Sequence, residues 1–167
     1  LGPASKVQEE LMGIPSFDTP DYSELFAEEK EMIAKLKKAF LMVAGGAVQK
    51  YGPDLDAHQQ LLMAASDILI EIYMAESTIL RTEKLAKTNG ADKIKEQIAM
   101  AQLYLYQAVD IVTQKGKESI ISFAEGDEQR MMLMGLRRYT KYTNMPNVVG
   151  LRETITSKLV TENAYCF

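Results

Sequence analysis

The sequence predicts an all-α protein, an antiparallel up-and-down helical bundle of three long helices plus one or two shorter C-terminal helices. No proline occurs between Pro53 and Pro146, and the residues between them include two long apolar stripes. The stripes recur at alternating steps of four and three residues, which is the spacing of helices that pack lengthwise. They consist of Leu61, Ala65, Ile68, Ile72, Ala75 and Ile79, followed by Ile94, Ile98, Ala101, Leu105, Ala108 and Val112.

The N-terminal residues differ in composition from the rest of the chain. Residues 1–20 contain three of the five prolines, with a short helical candidate from Ala4 to Met12 between them. We expect residues 1–20 to be a linker or docking arm and residues 21–167 to be the helical bundle domain. Because the chain begins at Leu1 without a methionine, we also expect it to be a piece of a longer protein.

The first long helix has a start signal, a stop signal and an apolar stripe. Asp21 followed by Glu24 has the spacing of a capping box. The helix should continue to about Lys50, since the glycine and proline of residues 51–53 oppose its extension. Its predicted buried stripe is Met32, Leu36, Phe40, Val43 and Ala47.

The second and third helices follow after short loops. Asp56 with Gln59 repeats the capping signal, and Asn89-Gly90 favours a C-terminal turn with positive φ. Asp92 should then cap a third helix that ends near Gly126. Because the connections are only a few residues long, neighbouring helices should run antiparallel.

A fourth element should fill the groove that three amphipathic helices leave. The candidates are residues 127–142 and 147–162, which are separated by Asn144-Met145-Pro146. Proline disfavours helix at the residue before it. The two segments are therefore either two halves of one broken helix, or one bundle member and one peripheral helix.

Composition and charge exclude several classes of protein. The formal net charge of −4 opposes binding to nucleic acid, which requires a basic face. The longest apolar run, residues 39–48, is about half of the roughly 20 residues that a membrane-spanning helix needs. The single cysteine, Cys166, has no intrachain disulfide partner, so the sequence shows no sign of an oxidising compartment. We expect a cytoplasmic protein without a transmembrane segment.

No combination of residues in the sequence predicts catalysis. His58 is the only histidine, and we expect it to face solvent in the first turn of the second helix. The Glu-x-x-His motif of di-iron bundles is absent, and Asp67 and Glu71 lie off the apolar stripe on a solvated flank. Gly45-Gly46 indicates either a close approach of two helices or a weak point in one. We therefore assign no catalytic, cofactor-binding or metal-binding residue.

Residues 131–142 form the least generic segment, and we take them as a candidate docking face. Four consecutive large apolar residues imply burial on two fronts, and methionine suits surfaces that adapt to a partner. The basic residues that follow could instead pair internally with Asp67, Glu71 and Glu76, or bind the phosphates of a nucleotide-like ligand. The candidate residues are Met131, Met132, Met134, Arg137, Arg138, Tyr139, Lys141 and Tyr142.

Three runs of sequence resemble a known family. They are residues 43–52, residues 59–68 and residues 72–77. Their order resembles the extra C-terminal domain of acyl-CoA dehydrogenases of the very-long-chain type. In that family a long helix ends at a loop, and the next helix carries the residues matched here by Gln59, Ala65, Asp67 and Tyr73. Sequences of that family also end on a phenylalanine shortly after the final helix, as this sequence does at Phe167.

The resemblance implies a function that the residues alone do not define. Such enzymes are flavoproteins that oxidise the Cα–Cβ bond of fatty acyl-CoA with a glutamate base and FAD, both held by upstream domains. The resemblance therefore implies a noncatalytic domain that lacks a cofactor of its own and packs on the catalytic domains of the same chain or on a dimer. Its parent would be a homodimeric, FAD-dependent acyl-CoA dehydrogenase. The alternative is a freestanding helical protein-interaction module.

Overall fold

The described part of the chain consists mainly of α-helices. The computed structural model describes residues 2–13, 22–164 and 166, and no strand occurs among them. Two short 3-10 helices, Gly52–Ala57 and Ala91–Lys93, lie in the connections. The prediction of an all-α protein is confirmed. The α-helices are α1 (Gly2–Met12), α2 (Ala27–Tyr51), α3 (Gln59–Asn89), α4 (Lys95–Phe123), α5 (Gly126–Tyr139) and α6 (Val148–Glu162).

The three long helices, α2, α3 and α4, pack on one another around the main core. Polar contacts between them show the chain directions. Along α2 and α3, and along α3 and α4, the partners run in opposite order, as antiparallel neighbours require. These contacts are Lys30–Glu83 (2.8 Å), Lys37–Glu76 (2.6 Å), Lys115–Asp67 (3.2 Å) and Tyr104–Glu71 (3.0 Å).

The predicted apolar stripes form this core. Most of their members are buried, including Leu36, Ile68, Leu105 and Val112, none of which exposes more than 2% of its surface. Phe40 and Ile98 are half-buried and pack against the core. The alternating four-and-three spacing therefore identified the inward faces of all three helices.

The beginnings of the long helices differ from the prediction. Asp21 lies outside the described residues, and α2 begins at Ala27 after Phe26, which has a left-handed backbone (φ 66°) and is buried. The assignments of Asp56 and Asp92 as N-caps are wrong, because each lies within one of the two 3-10 helices. The side chain of Gln59 donates instead to the backbone carbonyl of Asp56 (2.6 Å).

The ends of the predicted helices agree better. Gly90 has a φ of 87° and follows the last residue of α3, as the Asn-Gly signal indicated. Asn147 caps α6, since its side-chain oxygen accepts a hydrogen bond from the backbone N–H of Gly150 (3.1 Å). The final helices end where the sequence placed them, to within three residues.

The C-terminal helices have different roles in the packing. α5 packs against both α2 and α4, whereas α6 packs on α4 and contains no buried residue. The turn between them is joined to α2, because the backbone N–H and side-chain amide of Asn144 both donate to the Glu28 carboxylate. Of the two alternatives predicted for the C-terminal segments, the structure shows the second, in which α5 is a member of the bundle and α6 is a peripheral helix.

The N-terminal helix α1 lies on α2. Val7 is buried between them, and Lys38 donates to the carboxylate of Glu10 at 2.7 Å. Among the residues that the structure describes, no helix combines the length and apolarity needed to cross a membrane.

Candidate docking surface

The candidate docking face divides between the two sides of α5. Met132 and Tyr139 are buried, with 6% and 3% of their surfaces exposed, and they follow the helical spacing of Leu136 on the inward side. Met131 and Met134 point outward and expose 56% and 73%. The expectation of burial on two sides is therefore wrong within the described residues, because one side of α5 is buried and the other is exposed.

The basic residues of the segment lie toward the open side. Arg137 and Lys141 are exposed, and Arg138 is half-buried. Within the described part of the chain, none of the three forms a salt bridge. Together with Met131 and Met134 they form what we call the α5 outer face.

The internal-pairing interpretation of these basic residues is wrong. The acidic groups of α3 have other partners, namely Lys115 for Asp67, Tyr104 for Glu71 and Lys37 for Glu76. The physical reason is the packing order. α5 contacts α2 and α4, so residues of α2 and α4 reach the flanks of α3 first.

The glycine pair in α2 is a site of close approach on two sides. A Cβ at Gly45 would lie 2.5 Å from the Cβ of Ala4 in α1. A Cβ at Gly46 would lie 2.7 Å from the Cε of Met132 and 3.0 Å from the Phe123 ring. The close-approach interpretation is confirmed, and Gly46 allows α5 to reach its position.

Two tyrosine hydroxyls near the end of α5 are enclosed. Those of Tyr139 and Tyr142 have no hydrogen-bond partner among the described residues. Burial raises the pKa of Tyr142, and the nearby carboxylates of Glu29 and Asp110 raise it further. Tyr142 also lines a cavity of about 160 Å³ together with Glu28 and Glu29. The carboxylates make this cavity unsuitable for a phosphate-bearing ligand.

The single histidine is not in the position that the sequence predicted. His58 immediately precedes α3 and is half-buried, because its ring stacks on Tyr51 with centroids 3.6 Å apart. Both rings line a cavity of about 380 Å³ with Gln59, Gln60 and Ser122. The stacking explains why the imidazole is half-buried.

Asp67 and Glu71 do not form an acid–base pair. The Asp67 carboxylate is bound by Lys115, and the Glu71 carboxylate accepts from the hydroxyl of Tyr104. Burial and the hydrogen bond to Glu71 raise the pKa of Tyr104. Among the described residues, no group of three or more His, Cys, Asp and Glu side chains is placed to hold a metal ion.

The structure shows a second surface that the sequence analysis missed. The side of α3 opposite its buried stripe exposes large apolar residues, of which Tyr73 at 67% and Met63 at 65% are the most exposed. The sequence signal was present, since residues 51–80 contain no lysine or arginine. We call this surface the α3 outer face; it consists of Met63, Ser66, Leu69, Ile70, Tyr73, Met74, Ser77 and Leu80.

The fold and these surfaces define a helical packing domain whose distinctive features are two open faces. Residues 35–138 match the family model described as "Acyl-CoA dehydrogenase, C-terminal domain". The chain belongs to this family. The resemblance seen in the sequence is confirmed at the level of the domain.

Two relatives agree with the family assignment. A probable acyl-CoA dehydrogenase of Bacillus subtilis is 37% identical over 140 residues, which are 84% of this chain and 23% of that protein. The crystal structure of acyl-CoA dehydrogenase complexed with FAD from Bacillus anthracis has a TM-score of 0.89 at 37% identity. The match to that structure covers 98% of this chain and 27% of the other. The chain thus spans about a quarter of the length of these relatives.

Proposed function

We propose that this chain is the noncatalytic C-terminal domain of a longer, FAD-dependent acyl-CoA dehydrogenase of the very-long-chain type. The parent enzyme would oxidise the Cα–Cβ bond of fatty acyl-CoA. The observation that carries the proposal is the extent of the structural match, which includes nearly all of this chain and a quarter of an FAD-bound relative. The domain then supplies packing surface, while upstream domains supply the chemistry.

The residues that the structure describes do not fit FAD. A dinucleotide cofactor needs donors for its two phosphates, usually backbone N–H groups of a glycine-rich turn at a helix N-terminus. The cleft of about 370 Å³ between α3 and α4 is instead lined by the carboxylates of Asp67 and Glu118, and the single lysine there, Lys115, is already paired with Asp67. We therefore assign the flavin to the upstream domains.

The α5 outer face is our proposed contact with those domains or with the second subunit of a homodimer. Its two exposed methionines offer adaptable apolar surface, and Arg137 and Lys141 add positive charge that has no acidic partner within the described residues. Residues 1–20 would then join the bundle, residues 21–167, to the preceding domains. The homodimer and a cytoplasmic location remain predictions.

Two measurements test the proposal. Sequencing the gene upstream of Leu1 should reveal several hundred residues of flavoenzyme, whereas a freestanding interaction module would have a start codon close by. The purified 167-residue chain should show no flavin absorbance and should not reduce an electron acceptor with any acyl-CoA. A yellow preparation, or a start codon immediately before Leu1, would contradict the proposal.

A further inference from the structure

The α3 outer face is a largely apolar surface, with two serines among its residues, on a long helix. Leu69, Ile70 and Leu80 each expose at least half of their surface, and Met74 exposes 45%. From Met63 to Leu80 the face extends about 26 Å along the helix at 1.5 Å per residue. With Tyr73 and Met63, the exposed apolar area is on the order of several hundred Å², at the upper end for a surface that stays in water.

The α3 outer face carries no charge. The three acidic residues between Met63 and Leu80 lie on its flanks, and each is engaged by α2 or α4, through Lys37, Tyr104 and Lys115. Ser66 is also satisfied within the helix, since its hydroxyl donates to the carbonyl of Leu62 at 2.9 Å. A partner can therefore cover the face without desolvating an ionised group, which is the composition of the centre of a stable interface.

The residue order of the α3 outer face is approximately symmetric. When residues at equal distances on either side of the midpoint between Glu71 and Ile72 are compared, each large apolar residue has a large apolar counterpart and each serine has a serine. The small serines would allow two helix backbones to approach closely. The matched positions are Met63 with Leu80, Ser66 with Ser77, Leu69 with Met74, and Ile70 with Tyr73.

The two ends of α3 carry opposite charges. Asp54 and Asp56 are exposed in the 3-10 helix before its N-terminus, and Lys84 and Lys87 are exposed toward its C-terminus. In an antiparallel pair of α3 helices, the acidic end of one copy lies beside the basic end of the other. An isologous contact of this kind satisfies both ends at once.

We infer that the α3 outer face binds the same face of a second copy of this chain, with the two α3 helices antiparallel about a twofold axis near residues 71–72. The order of side chains and the opposite charges of the two ends favour a second copy over an unrelated surface. This contact is separate from the α5 outer face, so it does not depend on the proposed enzymatic function.

Sedimentation equilibrium of the purified chain tests the contact. The unaltered chain should be a dimer at micromolar concentrations, and Tyr73→Glu should raise the dissociation constant at least a hundredfold. The effect is large because residue 73 lies near the axis, where the two introduced carboxylates would be about 4.5 Å apart along the helices. Val160→Glu, at a site on α6 that is 73% exposed, should leave the dissociation constant unchanged.

Cysteine pairing tests the antiparallel register. In a Cys166→Ser background, a mixture of Ser66→Cys and Ser77→Cys chains should form a disulfide-linked heterodimer under mild oxidation. Either variant alone should not, because the two copies of residue 66 would lie about 16 Å apart along the axis, beyond the Cα separation that a disulfide tolerates.

Three results would overturn the inference. They are a monomer at tens of micromolar, a preference for linkage of residue 66 to residue 66, and an equal weakening of the dimer by Val160→Glu. Hydrogen exchange on the longer polypeptide gives a further test. Protection of residues 63–80 that persists in a Tyr73→Glu monomer would show that the upstream domains cover the face instead.

Discussion

Two adjacent glycines allow helices to approach α2 from different sides. Gly46 meets the Cε of Met132 and the ring of Phe123, so an added methyl group has to displace one of them. We expect Gly46→Ala to lower the free energy of unfolding by about 1 kcal/mol, because an overpacking cost of about 1–3 kcal/mol exceeds the gain of about 0.5–1 kcal/mol from replacing glycine in a helix. Urea denaturation followed by circular dichroism measures the change.

Shortening the opposing side chain provides the control. Met132→Ala removes the nearer contact at the cost of a cavity, so the double variant should be more stable than the sum of the two single losses predicts. Strict additivity would show that Gly46 is not limited by its contact with α5. Gly46→Ala with unchanged stability would show the same.

A second residue-scale prediction concerns the enclosed hydroxyl of Tyr142. Since this hydroxyl has no partner among the described residues, Tyr142→Phe should raise the free energy of unfolding by about 1 kcal/mol at pH 7. A loss of stability at pH 7 would contradict it, because such a loss would mean that the hydroxyl makes a favourable hydrogen bond.

The same substitution has a pH signature. The pKa of Tyr142 is higher in the folded chain than in the unfolded chain, where it is about 10. Ionisation of Tyr142 therefore leaves the free energy of unfolding unchanged below about pH 10 and lowers it as the pH rises above that value. The Phe variant should therefore lose less stability between pH 9 and pH 11 than the unaltered chain. The fall is reduced rather than abolished, since the pKa values of Tyr104 and Tyr139 are also raised by burial.

At the scale of elements, α6 is the helix that should open most easily. It packs on α4, buries no residue, and is joined to that helix by the ion pair of Lys158 with Glu96 at 3.5 Å. Helices with few buried contacts open locally at low free energy. We expect amides of residues 148–162 to exchange with deuterium much faster than those of residues 99–120, with α4 as the internal reference. Equal protection would contradict this.

The elements also show how far sequence reasoning reaches. Apolar spacing located the inward faces of α2, α3 and α4, because burial depends on a period that runs through many residues. Helix beginnings were less accessible. An aspartate followed three residues later by a glutamine suits a 3-10 helix as well as an N-cap, and Asp56 lies in a 3-10 helix.

The surfaces were harder to predict than the core. The sequence identified residues 131–142 as unusual, but which of their side chains face outward depended on where α5 lies between α2 and α4. The α3 outer face was missed because its apolar residues lie outside the buried stripe, and scattered apolar residues at such positions are common in a helix. The available signal was the absence of lysine and arginine from residues 51–80, which include the first two thirds of α3.

At the scale of the whole molecule, the bundle presents two open faces of different character. The α5 outer face is apolar and basic, whereas the α3 outer face is neutral. Charge at the edge of a contact mainly affects association rate and salt dependence, while a neutral apolar centre mainly affects the lifetime of the complex. The two faces should therefore respond differently to salt and to substitution.

This difference leads to a prediction for the longer polypeptide. If the α5 outer face contacts the upstream domains, Met134→Glu combined with Arg137→Glu should loosen the bundle and speed proteolysis between it and those domains. The isolated bundle should remain folded, because both side chains are exposed and surface substitutions usually change stability little. Limited proteolysis with mass spectrometry measures the cleavage rate, and Val160→Glu serves as the exposed control. Cleavage at the unaltered rate would show that the upstream domains bind the bundle elsewhere.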